Sequence, residues 1–203
     1  MNISTNDESS TGDRMDSYKV AASISKGRMA RENPLSAAAL EAVEASDIVV
    51  VRDIYDHVEQ VLEALDVPFQ AVTIDQFEQV ALQPEQLLII NCPGRISSRD
   101  VEKVRSFVES GGTLFTTDWA LRNVIEPAFP GVLEYNEHAT ADDVVRIEIV
   151  DSNSPYLTGV LETGDDPQWW LEGSSYPIRI LDSEKVKVLI KSKELADKYG
   201  EDP

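Results

Sequence analysis

Four short apolar runs, DIVVV at 47–51, FQAVTI at 69–74, QLLII at 86–90 and TLFTT at 113–117, alternate with stretches whose apolar positions recur three and four residues apart. A continuous β-branched run such as DIVVV is the pattern of a strand buried on both faces. Between the first two runs, DHVEQVLEAL puts Val58, Val61, Leu62 and Leu65 on one helical face, with Asp56 and Glu59 spaced as a capping box. After the third run, Ser97 with Asp100 caps a helix whose Val101, Val104, Phe107 and Val108 face inward, and Gly111-Gly112 ends it. Beyond the fourth, DWALRNVIE reads as a short helix terminated by Pro127 and Pro130. Strand and helix in alternation predict an α/β fold, a mostly parallel sheet with helices on both faces and right-handed crossovers.

The second half changes period. VVRIEIV at 144–150 alternates Val145, Ile147 and Ile149 against Arg146 and Glu148, the pattern of a strand with one wet face, at a sheet edge or in an added antiparallel hairpin. YPIRIL and KVKVLIKS are further strand candidates, and KELADKYG is a closing helical turn. At the other end, residues 1 to 18 are polar with few large aliphatic side chains and predict a mobile tail. KVAASISKGRMAR at 19–31 is the one basic stretch and reads as a solvated connector, and LSAAALEAVEAS after Pro34 reads as a short helix. The expected organisation is a flexible tail and connector over 1–33 and a single α/β domain over 34–203, with its core at 46–192.

Composition narrows the partners. The 203 residues carry 18 Lys plus Arg against 37 Asp plus Glu, a formal charge of -19, which repels nucleic acid and an anionic membrane surface. No apolar run approaches the roughly 18 residues of a membrane span, and no basic-then-apolar leader opens the chain, so a cytoplasmic protein is expected. One cysteine cannot form an internal disulfide or a cysteine-rich metal site.

The segment LLIINCPGRISSRDVEKVRSFVESGGTLFTTDWAL resembles the class I glutamine amidotransferase-like superfamily, in its divergent branch near the trehalose-utilisation (ThuA-like) domains and related uncharacterised bacterial domains. Members show a strand, a Pro-Gly-type loop, a helix beginning at Ser or Glu, and a V..GG.L passage into the next strand. SPYLTGV at 154–160 is similar to the HP…GL segment of that group, with Ser154 where a histidine is common, and the resemblance spans roughly 46–192. It implies a flavodoxin-like fold. In catalytic members the nucleophilic cysteine occupies a sharp strand-to-helix turn, where backbone N–H groups stabilise a thiolate and an oxyanion. Here that turn is TTDWAL and its elbow position holds Asp118, while Cys92 lies one strand earlier, in NCPGR. Glutamine amidotransferase activity is therefore not expected. Many such relatives also continue past the point where this chain ends, into another strand and a Gly-containing turn.

Ligands of doubly wound sheets bind outside the carboxyl ends of the strands. Asp53, His57, Asn91, Cys92, Arg95, Asp118 and Trp119 all fall in loops or first turns at such ends. Cys92 is either a thiol activated by a histidine, with His57 the nearer of two candidates, or a small residue in a tight turn beside Pro93-Gly94; the turn is favoured. Asp118 serves either as a helix cap or as a ligand group. Arg95 holds an anion beside the following helix or pairs with a surface carboxylate. Asp53, His57 and Asp118 contain oxygen and imidazole donors, but their spacing specifies no metal. No nucleotide-binding, zinc-protease or serine-hydrolase motif is present, and no cofactor is expected. Trp169 and Trp170 are expected to cover a sheet edge; the other reading is an exposed aromatic at a protein interface, through which the chain could oligomerise.

These residues together predict a non-catalytic amidotransferase-like binding or protein-interaction domain, with a polar crevice formed by Asp53, Asn91, Arg95, Asp118 and Trp119 for a small polar ligand or protein partner. The alternative is a hydrolase or carbohydrate-modifying enzyme that uses Asp118 with His57 or Cys92 as its acid, base or nucleophile.

Overall fold

A computed structural model describes residues 7–159 and 167–200 of the chain. Its contacts divide the protein into two compact units, Met1–Thr117 and Asp118–Pro203.

The first unit contains the parallel sheet. Strands β1 (Ile48–Arg52), β2 (Gln70–Thr73), β3 (Leu87–Ile90) and β4 (Thr113–Thr116) lie in the order β2-β1-β3-β4, all parallel. The strands follow the apolar runs, β1 reaching one residue further to Arg52, and the aliphatic residues of β1 and β3 bury both faces of these two central strands. Val49, Val50, Val51, Leu88 and Ile90 are inaccessible to solvent. Ile48, Val50 and Ile89 share a core with Val67, against which Leu40, Val43, Val58 and Leu62 pack. These last four come from α2 (Pro34–Glu41), from the turn after it, and from α3 (Val58–Ala64). On α5 (Ser98–Glu109), Val101, Val104 and Phe107 are buried. The Lys103 ammonium lies 3.9 Å from the ring centroid of Phe77, which belongs to the short helix α4 (Ile74–Phe77). The protein is thus an α/β fold whose four-stranded parallel sheet is flanked by helices, as the alternation predicts.

Three local expectations are corrected. The stretch read as tail and connector is helical from Asp7 to Glu32, as α1. Ala22 is buried, and the Lys26 ammonium donates to the Leu65 carbonyl at 3.0 Å, so tertiary contacts hold a segment whose composition alone does not. Helix α3 has His57 at its N-cap rather than an Asp56–Glu59 box, and the cap residue makes no side-chain bond to the backbone of the first turn. Glu59 is buried while Val61 is 40% exposed, so the inward face of α3 contains the acid read as a cap and leaves out one of the apolar residues expected there.

Ser97 does cap α5, accepting from the Asp100 amide at 3.1 Å and donating to its carboxylate at 2.7 Å. The double glycine after α5 has two separate reasons. Gly111 adopts φ +104, where a side chain is strained, and a Cβ on Gly112 would fall on the Phe107 ring.

The second unit holds three two-stranded antiparallel pairs: β5 (Leu133–Tyr135) with β9 (Ile178–Ile180), β6 (Asp143–Arg146) with β8 (Gln168–Leu171), and β7 (Glu148–Ile149) with β10 (Ile190–Lys191). The run 144–150 is therefore two strands broken at Ile147; Val145 and Ile147 are buried as the alternation predicts, but Ile149 is 40% exposed. DWALRNVIE forms a π-helical turn, Leu121–Ile125, leading into α6 (Glu126–Ala128). Pro127 occupies the first turn of α6, where its missing N–H costs nothing, so it does not terminate the segment. Trp169 and Trp170 pair across the ribbon with Val145 and Val144 and are 39% and 65% exposed. The PYLTG segment begins with a short 3-10 turn, Pro155–Leu157, and Val160 lies outside the described residues. Helix α7 (Lys193–Tyr199) begins at Ser192, ends at Gly200 with φ +86, and is tied to β6 by the Lys198–Asp143 ion pair.

Two predictions follow from this packing. Gly112→Ala should lower the free energy of unfolding by about 1–3 kcal/mol in urea titrations, the usual penalty for overpacking against a buried ring. The hydrogen bond from Lys198 holds the Asp143 carboxyl below its ordinary value of 3.8 and holds Lys198 above 10.5. A depressed carboxyl contributes stability that is present above the unfolded value and lost as pH falls through the folded one. NMR titration should therefore place the Asp143 midpoint below 3.8 and show it rising in Lys198→Met.

Candidate functional site

The C-terminal ends of β1 and β3 lie side by side, and the chain leaves each through a polar residue. β3 ends in Asn91, which is completely buried and whose amide donates to the Val51 carbonyl at 3.1 Å. Its side-chain Nδ2 donates to Glu59 Oε2 at 2.7 Å. The other carboxylate oxygen, Oε1, is 3.2 Å from His57 Nδ1. Glu59 is buried, and the His57 side chain is 32% exposed. A histidine at the start of α3, a carboxylate on its inner face and an amide at the end of β3 thus form one hydrogen-bonded line running from solvent into the sheet.

Asp53, just past β1, does different work. Its Oδ2 accepts from the amides of Gly94 at 3.0 Å and Arg95 at 3.4 Å, and its Oδ1 accepts from the Ile54 amide at 3.0 Å. The carboxylate therefore fastens the NCPGR loop by its backbone. The same loop is held at Cys92, whose N–H donates to Thr117 Oγ1 at 2.9 Å and whose carbonyl accepts from the Tyr55 amide at 3.2 Å. Cys92 precedes a cis proline, Pro93, and Gly94 adopts φ +66. The thiol residue is 2% exposed. It occupies a tight turn, and the ring of His57 is bonded to the Glu59 carboxylate. The Arg95 side chain is exposed beside its fastened backbone.

Asp118 and Trp119 belong to the second unit. Asp118 has φ +36, an uncommon conformation for a residue with a Cβ. Its Oδ1 accepts from the Ser175 hydroxyl at 2.8 Å, and its backbone carbonyl accepts from the Leu121 amide at 3.0 Å and from the Tyr176 hydroxyl. Trp119 donates through Nε1 to the Ser174 carbonyl at 2.6 Å. Its ring packs against Tyr135 and Tyr176 with centroids 5.1 and 4.8 Å away, and those two tyrosines are 4.8 Å apart in an edge-on arrangement. Three mutually tilted aromatics each gain from quadrupole contact within the second unit.

The structure therefore brings Asn91 and His57 together through a residue missing from the expected set, Glu59. Its role is visible in the sequence only indirectly. An asparagine directly after a strand buried on both faces requires a buried partner, and an acid on the helix that follows the neighbouring strand β1 can supply one. Among the described residues no group of three or more His, Cys, Asp or Glu side chains is arranged to hold a metal ion, and no helix is long and apolar enough to cross a membrane. Comparisons with protein-family models, with curated proteins and with solved structures found no match. What the geometry defines is the class: an α/β protein with a four-stranded parallel sheet and a buried polar cluster at the strand ends.

The loop fastening is testable. Asp53→Ala removes three backbone bonds to a carboxylate and should cost about 1.5–3 kcal/mol of stability, since bonds to charged groups run at that level. Hydrogen exchange at the Gly94 amide should accelerate in the variant, while the amides of β1 keep their protection.

Proposed function

We propose that this chain is a binding or protein-interaction domain of the class I amidotransferase-like kind, without glutaminase chemistry, that takes a small polar ligand at the carboxyl ends of β1 and β3. The observation that carries the reading is Asn91. It is fully buried, one side of its amide is consumed by Glu59, and Oδ1 has no partner. A buried acceptor without a donor costs about 1–3 kcal/mol, and such groups concentrate where water or a ligand completes the bonding.

Two features support the family part of the reading. The strand order β2-β1-β3-β4 follows the flavodoxin-like order. Asp118, directly after the fourth strand and at positive φ, has the backbone of a sharp strand-to-helix turn with a carboxylate in place of a thiol. Cys92, buried in a turn fastened from three sides, lacks the exposure that a thiolate nucleophile needs.

The purified chain should release no ammonia from glutamine above buffer background. Ammonia release that disappears in Cys92→Ser contradicts the reading. In an NMR screen of small polar fragments, the first resonances to move should be those of His57, Glu59 and Asn91; responses confined to other regions contradict the placement of the site.

A further inference from the structure

The cluster at the end of β3 has a definite chemical sign. Glu59 is 8% exposed, and its carboxylate is met by the Asn91 amide and by the His57 ring. Among the described residues its ion-pair partner is that half-exposed histidine, with no lysine or arginine paired to it. An ionised carboxylate can only accept hydrogen bonds, so it fixes the amide orientation: Nδ2 faces Glu59 and Oδ1 is left for another donor. Oδ1 is buried and without a partner. His57, with its Nδ1 proton directed to the carboxylate, presents Nε2 as another acceptor when neutral.

The cluster therefore consists of acceptors around a buried negative charge. A carboxylate or phosphate ligand would bring more acceptors and more negative charge to a protein already at -19. A neutral hydroxyl supplies one donor and brings no charge to the carboxylate. A primary ammonium supplies three donors and a positive charge on one compact atom.

We infer that the ligand of this site is a primary amine, bound as its ammonium. The inference rests on the binding reading above and names its ligand class. The ammonium displaces the His57 ring from Glu59 Oε1 and donates to Asn91 Oδ1, and the exposed side of His57 is the point of entry. No bond is made or broken in the process beyond these hydrogen bonds.

The test uses the full chain, labelled with nitrogen-15 and titrated separately with methylammonium chloride, sodium chloride, glycerol and sodium acetate. Methylammonium should shift the Asn91 side-chain amide and the His57 ring saturably, at least about tenfold more tightly than glycerol or acetate, a difference of about 1.4 kcal/mol. Glu59→Gln, which keeps the shape and removes the charge, should weaken that response at least tenfold. The wild-type comparison stands by itself if this variant fails to fold. Glycerol binding as tightly as methylammonium, or methylammonium shifts no larger than those with sodium chloride, overturns the ammonium assignment. In either case a fragment of other chemistry that moves Asn91 leaves the binding site intact, and the absence of any such fragment removes the site as well.

Discussion

The hydrogen bond from Asn91 to Glu59 is the constraint around which the carboxyl ends of the strands in the first unit are arranged. Two strands buried on both faces terminate beside each other, and the sheet must pass from a dry interior to loops that meet water. An amide at that boundary needs a partner inside the fold, and α3 supplies it by turning inward the acid that its sequence offers as a cap. This fixes the rotation of α3 about its axis. Val58, Leu62 and Leu65 are then placed on the sheet, and Val61 is left in solvent. It also places His57 at the rim with one ring nitrogen engaged.

A second carboxylate governs the neighbouring loop by a separate route. Asp53 gathers the amides of Ile54, Gly94 and Arg95, and Thr117 takes the amide of Cys92, so the turn containing the one cysteine is defined by its backbone. That division leaves the Cys92 loop held by its backbone, independently of the cluster around Glu59. Burying the thiol residue and fastening its loop gives a rigid wall, whereas a nucleophile requires access and a positive neighbour. Similar economy marks the turn at Asp118, whose carbonyl and carboxylate are both bonded within the second unit by Ser175 and Tyr176.

Much of the sheet is legible in the sequence because short β-branched runs leave little choice of structure: three strands fall within the runs that predict them, and β1 extends one residue past its run, to Arg52. The cap at Ser97 and the stop at Gly111-Gly112 are equally legible, since both depend on bonds within a few residues. What escapes is what depends on distant partners. Glu59 looks like a local cap until β3 places Asn91 beside it, 32 residues away in the chain. Likewise α1 lacks a strong apolar stripe, and it owes its contact with α3 to features such as the Lys26 bond to Leu65, 39 residues away. At the site, Asp53 and Asn91 could be located from their positions at strand ends, but their different duties, one fastening a loop and the other bonding a buried acid, required the register of the sheet.

The most direct measurement is a double-mutant cycle on Asn91 and Glu59, with Asn91→Ala, Glu59→Ala and the pair compared by urea unfolding. A buried bond between an amide and a carboxylate predicts a coupling of about 1.5–3 kcal/mol, so that the double variant loses much less than the two single losses combined. Losses that add to within about 0.5 kcal/mol would contradict the account, because the two side chains would then stabilise the fold independently.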